Sequence, residues 1–129
     1  MEQTASRPEP KIIAAIPWIA CTGLLETIEF FETRLGFTKE WTWGEPAKSD
    51  RGVARGSVRL YLFDNAELAG RVEGSEITIT VQDVDILYRE HQARGAPISR
   101  AIENEPWGSR EYQVTDPNGY VLRFSGEQV

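Results

Sequence analysis

Apolar residues recur along this chain with two periods, every second residue and about every 3.6 residues, and the switches between them mark out its elements. Ile12 to Ala20 is apolar and rich in β-branched residues, which predicts a first strand. Pro17 interrupts it and has no N–H for a ladder, so the strand is expected at an edge or with a bulge. Leu24, Ile28, Phe31 and Leu35 then fall at helical spacing, with Glu26, Glu29 and Glu32 off that stripe and Gly36 as a stop, predicting an amphipathic helix over 24–35. Phe37 to Trp43 and Val53 to Ser57 read as strands on either side of a turn-rich stretch, 44–52. From Ser57 to Phe63 the alternation is clear: Val58, Leu60 and Leu62 point one way, Arg59, Tyr61 and Phe63 the other.

The order then repeats. Ile77, Ile79 and Val81 alternate with Glu76, Thr78 and Thr80; a helix over 84–94 carries Val84, Leu87, Tyr88 and His91 on one side; Gly95 closes it. Strands are expected near Ile98–Ile102, Arg110–Val114 and Tyr120–Phe124. The last two flank Asp116-Pro117-Asn118-Gly119, where Pro presets φ and Asn-Gly accepts positive φ. Aligning Gly36 with Gly95 sets Leu25 opposite Val84 and Ile28 opposite Leu87. The chain thus reads β-α-β-β-β twice, an internal repeat that is weak in residue identity and consistent in period. The expected fold is α+β: two tandem modules, about 12–66 and 75–126, forming a concave mixed sheet with helices on the outer face. Together they make one domain over 12–129 behind a loose arm, 1–11.

Composition narrows the partners. With 14 Lys+Arg against 20 Asp+Glu the 129-residue chain carries a net charge of −6, and no basic cluster offers itself to nucleic acid. No apolar run is long enough to span a bilayer and the N-terminus lacks the core of a secretory signal, so a soluble, cytoplasmic protein is expected. One cysteine, Cys21, and one histidine, His91, exclude an internal disulfide and any zinc site built on several Cys or His ligands. Cys21 reads as a small buried hydrophobe and His91 as a packed helix residue.

Ile16-Pro17, Thr27-Ile28-Glu29-Phe30-Phe31, Arg34-Leu35-Gly36-Phe37, Glu105-Pro106-Trp107-Gly108 and Asp116-Pro117-Asn118-Gly119, in this order on a duplicated frame, resemble the glyoxalase/bleomycin resistance/dioxygenase (vicinal oxygen chelate) superfamily. The Pro-Trp-Gly segment is most similar to that of the bleomycin-binding resistance proteins, although Ser109 intervenes before Arg110-Glu111. The resemblance implies a homodimer with grooves shared between two chains. For the catalytic members it implies a divalent metal, whose ligand positions fall here on Ile16, Glu76 and Arg123. Ile has no lone pair and a guanidinium stays cationic, so only Glu76 could coordinate, and no metal or other cofactor is expected.

Strand parity places Val58, Leu60, Leu62, Ile77, Ile79, Val81, Tyr120, Leu122 and Phe124 under the helices. It leaves Arg59, Tyr61, Phe63, Glu76, Thr78, Thr80, Val121 and Arg123 on the opposite face, where Glu76 and Arg123 either pair across the former metal position or are each solvated at a groove edge. Phe37, Trp41, Trp43 and Trp107 add rings able to stack on a planar ligand; Ser109, Arg110 and Tyr112 complete the expected ligand-lining set. Glu103, Glu105 and Glu111 would favour a cationic group. The resulting expectation is a non-catalytic protein that sequesters an aromatic compound, cationic ones included, such as a bleomycin-family antibiotic, and so confers antibiotic resistance. The alternative is a metal-dependent lyase, isomerase, dioxygenase or thiol transferase of the same superfamily.

Overall fold

The computed structural model describes residues 7–43 and 50–129, and the side chains of all of these except Thr42 and Trp43. Its elements run β1 (Trp18–Cys21), α1 (Leu24–Thr33), β2 (Thr38–Trp43), β3 (Asp50–Arg55), β4 (Val58–Asp64), α2 (Ala66–Arg71), β5 (Glu76–Thr80), α3 (Val84–Ala93), β6 (Ile98–Asn104), β7 (Ser109–Thr115) and β8 (Val121–Glu127). The strands form two four-stranded mixed sheets with the same order, β1-β4-β3-β2 and β5-β8-β7-β6. Each sheet has one parallel pair, β1 with β4 and β5 with β8, and its helix, α1 or α3, carries the chain from one edge strand to the other; the remaining pairs are antiparallel. The twice-read β-α-β-β-β pattern is therefore the architecture, with α2 added between the modules. Among the described residues, no helix is long and apolar enough to cross a membrane.

Period decides which side chains enter the core. Leu24, Ile28, Phe31 and Leu35 are buried along one stripe of α1 and its C-terminal turn. Leu60 and Leu62 of β4, Ile79 of β5, and Leu122 and Phe124 of β8 are buried on the core faces of their sheets, and Tyr120 just before β8 joins them. These residues make one contiguous core for both modules.

Several boundaries differ from the sequence reading. The strand expected over 12–20 is confined to Trp18–Cys21; Ile12 and Ile13 lie exposed before it. Pro17 still serves the sheet, because its carbonyl accepts from the Tyr61 N–H at 3.0 Å. Asp50, Arg51 and Gly52, expected in a loop, pair with β4 as part of β3; the rest of that loop, 44–49, lies outside the described residues. The glycine-to-glycine alignment is one residue out within the helices. Leu24 and Val84 both open their helices and are both buried, whereas Leu25 is 79% exposed. Module one carries one more residue, Leu35, between helix and glycine.

The Asp116–Gly119 turn does more than reverse the chain. Asp116 accepts from the N–H groups of Asn118 and Tyr120 at 2.8 and 2.9 Å, and of these turn residues only Gly119 takes positive φ, at 90°. Asn118 is freed to reach the other module, where its Oδ1 accepts from the Thr22 N–H at 2.9 Å and its Nδ2 donates to Thr27 Oγ1 at 3.0 Å. These bonds satisfy polar groups beside the start of α1, whose N-cap Gly23 has no side chain to do so.

Candidate functional site

The faces turned away from the core have opposite chemistry in the two modules. In module one, register aligns Trp18 of β1 with Tyr61 of β4, Tyr61 with Gly52 of β3, and Gly52 with Trp41 of β2. Having no side chain, Gly52 lets the Trp41 indole fold down onto the strand; a Cβ there would collide with that ring. Trp41 and Trp18 consequently meet Tyr61 edge-to-face from both sides, at centroid distances of 4.8 and 5.1 Å, and Phe63 lies 5.8 Å from Trp18. Trp18 remains 51% exposed. Arg59 borders this shelf and pairs with Glu40 at 2.9 Å.

Module two presents charge in the same place. Thr78 stands opposite Arg123 as Trp18 stands opposite Tyr61, and two residues earlier Ile16 corresponds to Glu76. Arg123 lies between two carboxylates, 2.7 Å from Glu76 Oε1 and 2.9 Å from Glu111 Oε1. Glu111 is buried. Its Oε2 accepts from the Ser109 hydroxyl at 2.6 Å, the Ser125 hydroxyl at 3.0 Å and the Trp107 indole N–H at 3.3 Å. Burial alone would raise its pKa, but the hydrogen bonds from Ser109, Arg123, Ser125 and Trp107 together outweigh it and hold the carboxyl down to about 2. Glu111 is thus an anion at neutral pH. Nearby, Arg100 pairs with Glu103 at 2.9 Å and with buried Glu105 at 3.2 Å. Four carboxylates face two guanidiniums, so this surface is net acidic.

The expected site residues divide by strand parity. The structure brings Trp41, Arg59, Tyr61 and Phe63 together on one face, and Glu76, Thr78, Trp107, Ser109 and Arg123 on the other. It places Phe37, Tyr112 and Arg110 elsewhere. Phe37 is buried 5.5 Å from Phe31 in the core. Tyr112 is wholly buried under α3, stacked on Phe124 at 5.1 Å and joined by its hydroxyl to His91 Nδ1 at 2.7 Å. Arg110 shares that side of β7 and pairs with Asp85 of α3 at 2.9 Å. The Trp43 side chain lies outside the described residues. Trp18 was missed as a site residue, and Glu111, expected only as an acidic group that would favour a cation, is instead the buried centre of the polar network. Trp18 was legible as the alternate of buried Ile19, whereas the burial of Glu111 depends on donors from β7, β8 and the loop before it.

Cys21 and His91 stay out of the site, as the sequence suggested. Burial pushes the Cys21 thiol up to about 11, leaving it protonated and inert. A cavity of about 650 Å³ opens where β5 meets α3, lined by Val81, Val84, Ile86 and Gly126 among others, but none of the expected site residues reaches it.

The positions that could hold a metal do not suit one. Ile16 offers no donor, Tyr61 is packed between two indoles, and Arg123 sets a cation against Glu76. Among the described residues, no group of three or more His, Cys, Asp or Glu is arranged to hold a metal ion.

Comparison with known proteins agrees with this architecture. Residues 15–124 match the model of the Glyoxalase/Bleomycin resistance protein/Dioxygenase superfamily. The bleomycin-binding protein from bleomycin-producing Streptomyces verticillus, solved with copper(II)-bleomycin, superposes with a TM-score of 0.73 at 25% identity, covering 93% of this chain and 100% of that one. A bleomycin resistance determinant encoded on the transposon Tn5 gives 0.77 at 22% identity, over 92% of this chain and 100% of that one. TioX from Micromonospora sp. ML1 gives 0.75 at 21% identity, over 88% and 97%. No curated protein matches the chain by sequence.

Proposed function

The chain belongs to the Glyoxalase/Bleomycin resistance protein/Dioxygenase superfamily, and from that membership we propose that it is a non-catalytic binding protein that sequesters a flat aromatic compound with a cationic group, of the bleomycin type. The observation that carries this reading is the Arg123 guanidinium clamped between Glu76 and Glu111 where the superfamily's enzymes would need a metal ligand. With that position closed to a cation, the surface keeps the means of binding: an aromatic shelf at Trp18, Tyr61 and Trp41, an exposed indole at Trp107, and a net acidic surround. Sequestration needs no chemical step. A shaped apolar surface with a few polar anchors suffices.

The binding unit is a homodimer. Links between modules run from Thr27 to Asn118, Arg55 to Glu90 and Arg34 to Gly95, and these bonds join helices, a turn and a strand end instead of the aromatic and acidic faces. A second copy, setting its acidic face against the aromatic face of the first, completes two equal grooves. Expression in a bleomycin-sensitive bacterium tests the function. Survival at drug levels that kill the parent strain is expected, and it should be lost with Trp107→Ala at equal protein abundance; equal survival with and without the gene contradicts the reading.

A further inference from the structure

Trp107 is 63% exposed in a loop flanked by Pro106 and by Gly108 at φ 109°, yet its indole N–H is engaged by a carboxylate. That carboxylate, Glu111, is itself immobilised. Ser109, Ser125 and Arg123 donate to it, and Arg123 is anchored in turn to Glu76. A continuous polar chain therefore runs from the edge strand β5 through β8 and β7 to the loop indole. With both oxygens engaged, Glu111 has little capacity left to accept from a ligand. Glu76, whose side chain is 48% exposed and which among the described residues is bonded through Oε1 alone, is the carboxylate open to a ligand cation.

We propose that Glu111 is a positioning residue for ligand recognition: it fixes the Trp107 ring in a preset orientation, so that a ligand's planar group stacks on an ordered indole while its cationic group reaches Glu76. The inference rests on the groove-binding reading above. It deepens that reading by separating the carboxylate that orders the site from the one that meets the ligand. An ordered ring spares the ligand the entropy of ordering it, which is how preorganisation gains affinity.

The test follows the Trp107 indole N–H by 1H–15N NMR, assigned with Trp107→Phe, together with calorimetric titration of metal-free bleomycin. In the wild-type protein the resonance should be shifted downfield of free indole and exchange slowly with water; a free-indole shift overturns the proposal without any variant. In Glu111→Gln the resonance should move toward free indole and bleomycin affinity should fall about tenfold, with a similar fall for Trp107→Phe and no further fall when both are combined. Additive losses, or an unmoved resonance, overturn the proposal alone. Absence of bleomycin binding by the wild-type protein overturns the reading of the groove instead.

Discussion

Arg123 donates to Glu76 through Nε and Nη2 and to Glu111 through Nη1, so one guanidinium from β8 ties β5 to β7. Glu111 is the buried partner and Glu76 the half-exposed one. Removing the cation leaves a buried carboxylate unpaired, which costs far more than losing a surface ion pair. Arg123→Met should therefore destabilise the protein by about 3 kcal/mol in urea unfolding at pH 7. The deficit should shrink on acidification. Glu111 has its folded pKa depressed to about 2, so its stabilising contribution is present above the unfolded carboxylate value of about 4.3 and is lost as pH falls through 2.

His91 titrates in the same sense at higher pH. Burial lowers its pKa to about 4, against about 6.5 unfolded, so the unfolded chain takes the proton first. Its contribution is fully present above pH 6.5 and falls between there and pH 4. Charged groups around it are Glu90, Arg55 and Arg94, with Tyr112 hydrogen-bonded to its ring. Unfolding free energy should drop by about 3 kcal/mol from pH 7 to pH 4. His91→Gln should flatten that slope, as urea titrations at the two pH values will show.

Each module's helix is capped by the other. Arg34, at the end of α1, donates to Gly95 O at 3.0 Å, and Arg94, at the end of α3, donates to Thr33 O at 3.2 Å. A guanidinium at a helix C-terminus satisfies free carbonyls and opposes the negative end of the helix dipole. Arg34→Ala and Arg94→Ala should each cost about 1 kcal/mol by thermal unfolding.

How far the sequence carried these features depended on whether a local period governed them. Parity in β4, β5 and β8 separated core from open face correctly, and it put Glu76 within reach of Arg123. Parity also buries Tyr112, on the side of Val114 and Arg110, so its place in the expected ligand set conflicts with the period of its own strand. Phe37, expected among the rings able to stack on a ligand, precedes β2 and packs against Phe31 in the core. The Asn118 link between modules and the Glu111 network join residues up to 96 positions apart, a separation that no local pattern encodes.

Gly52 gives the aromatic shelf a specific test. A Cβ at that position would meet the Trp41 indole, and the backbone there is not in the left-handed region, so Gly52→Ala should fold and displace the ring. Near-ultraviolet circular dichroism should change, because the Trp41–Tyr61 contact is broken. Bleomycin affinity should fall at least about fivefold, roughly the loss of one aromatic contact of about 1 kcal/mol.

Binding without a metal is tested by calorimetric titration of the metal-depleted protein with bleomycin. Submicromolar binding is expected at one drug per groove, two per dimer, from protein that elemental analysis finds free of divalent ions, with loss of that binding in Trp107→Ala. No heat of binding from the depleted protein, together with about one tightly held divalent ion per chain as purified, would contradict it.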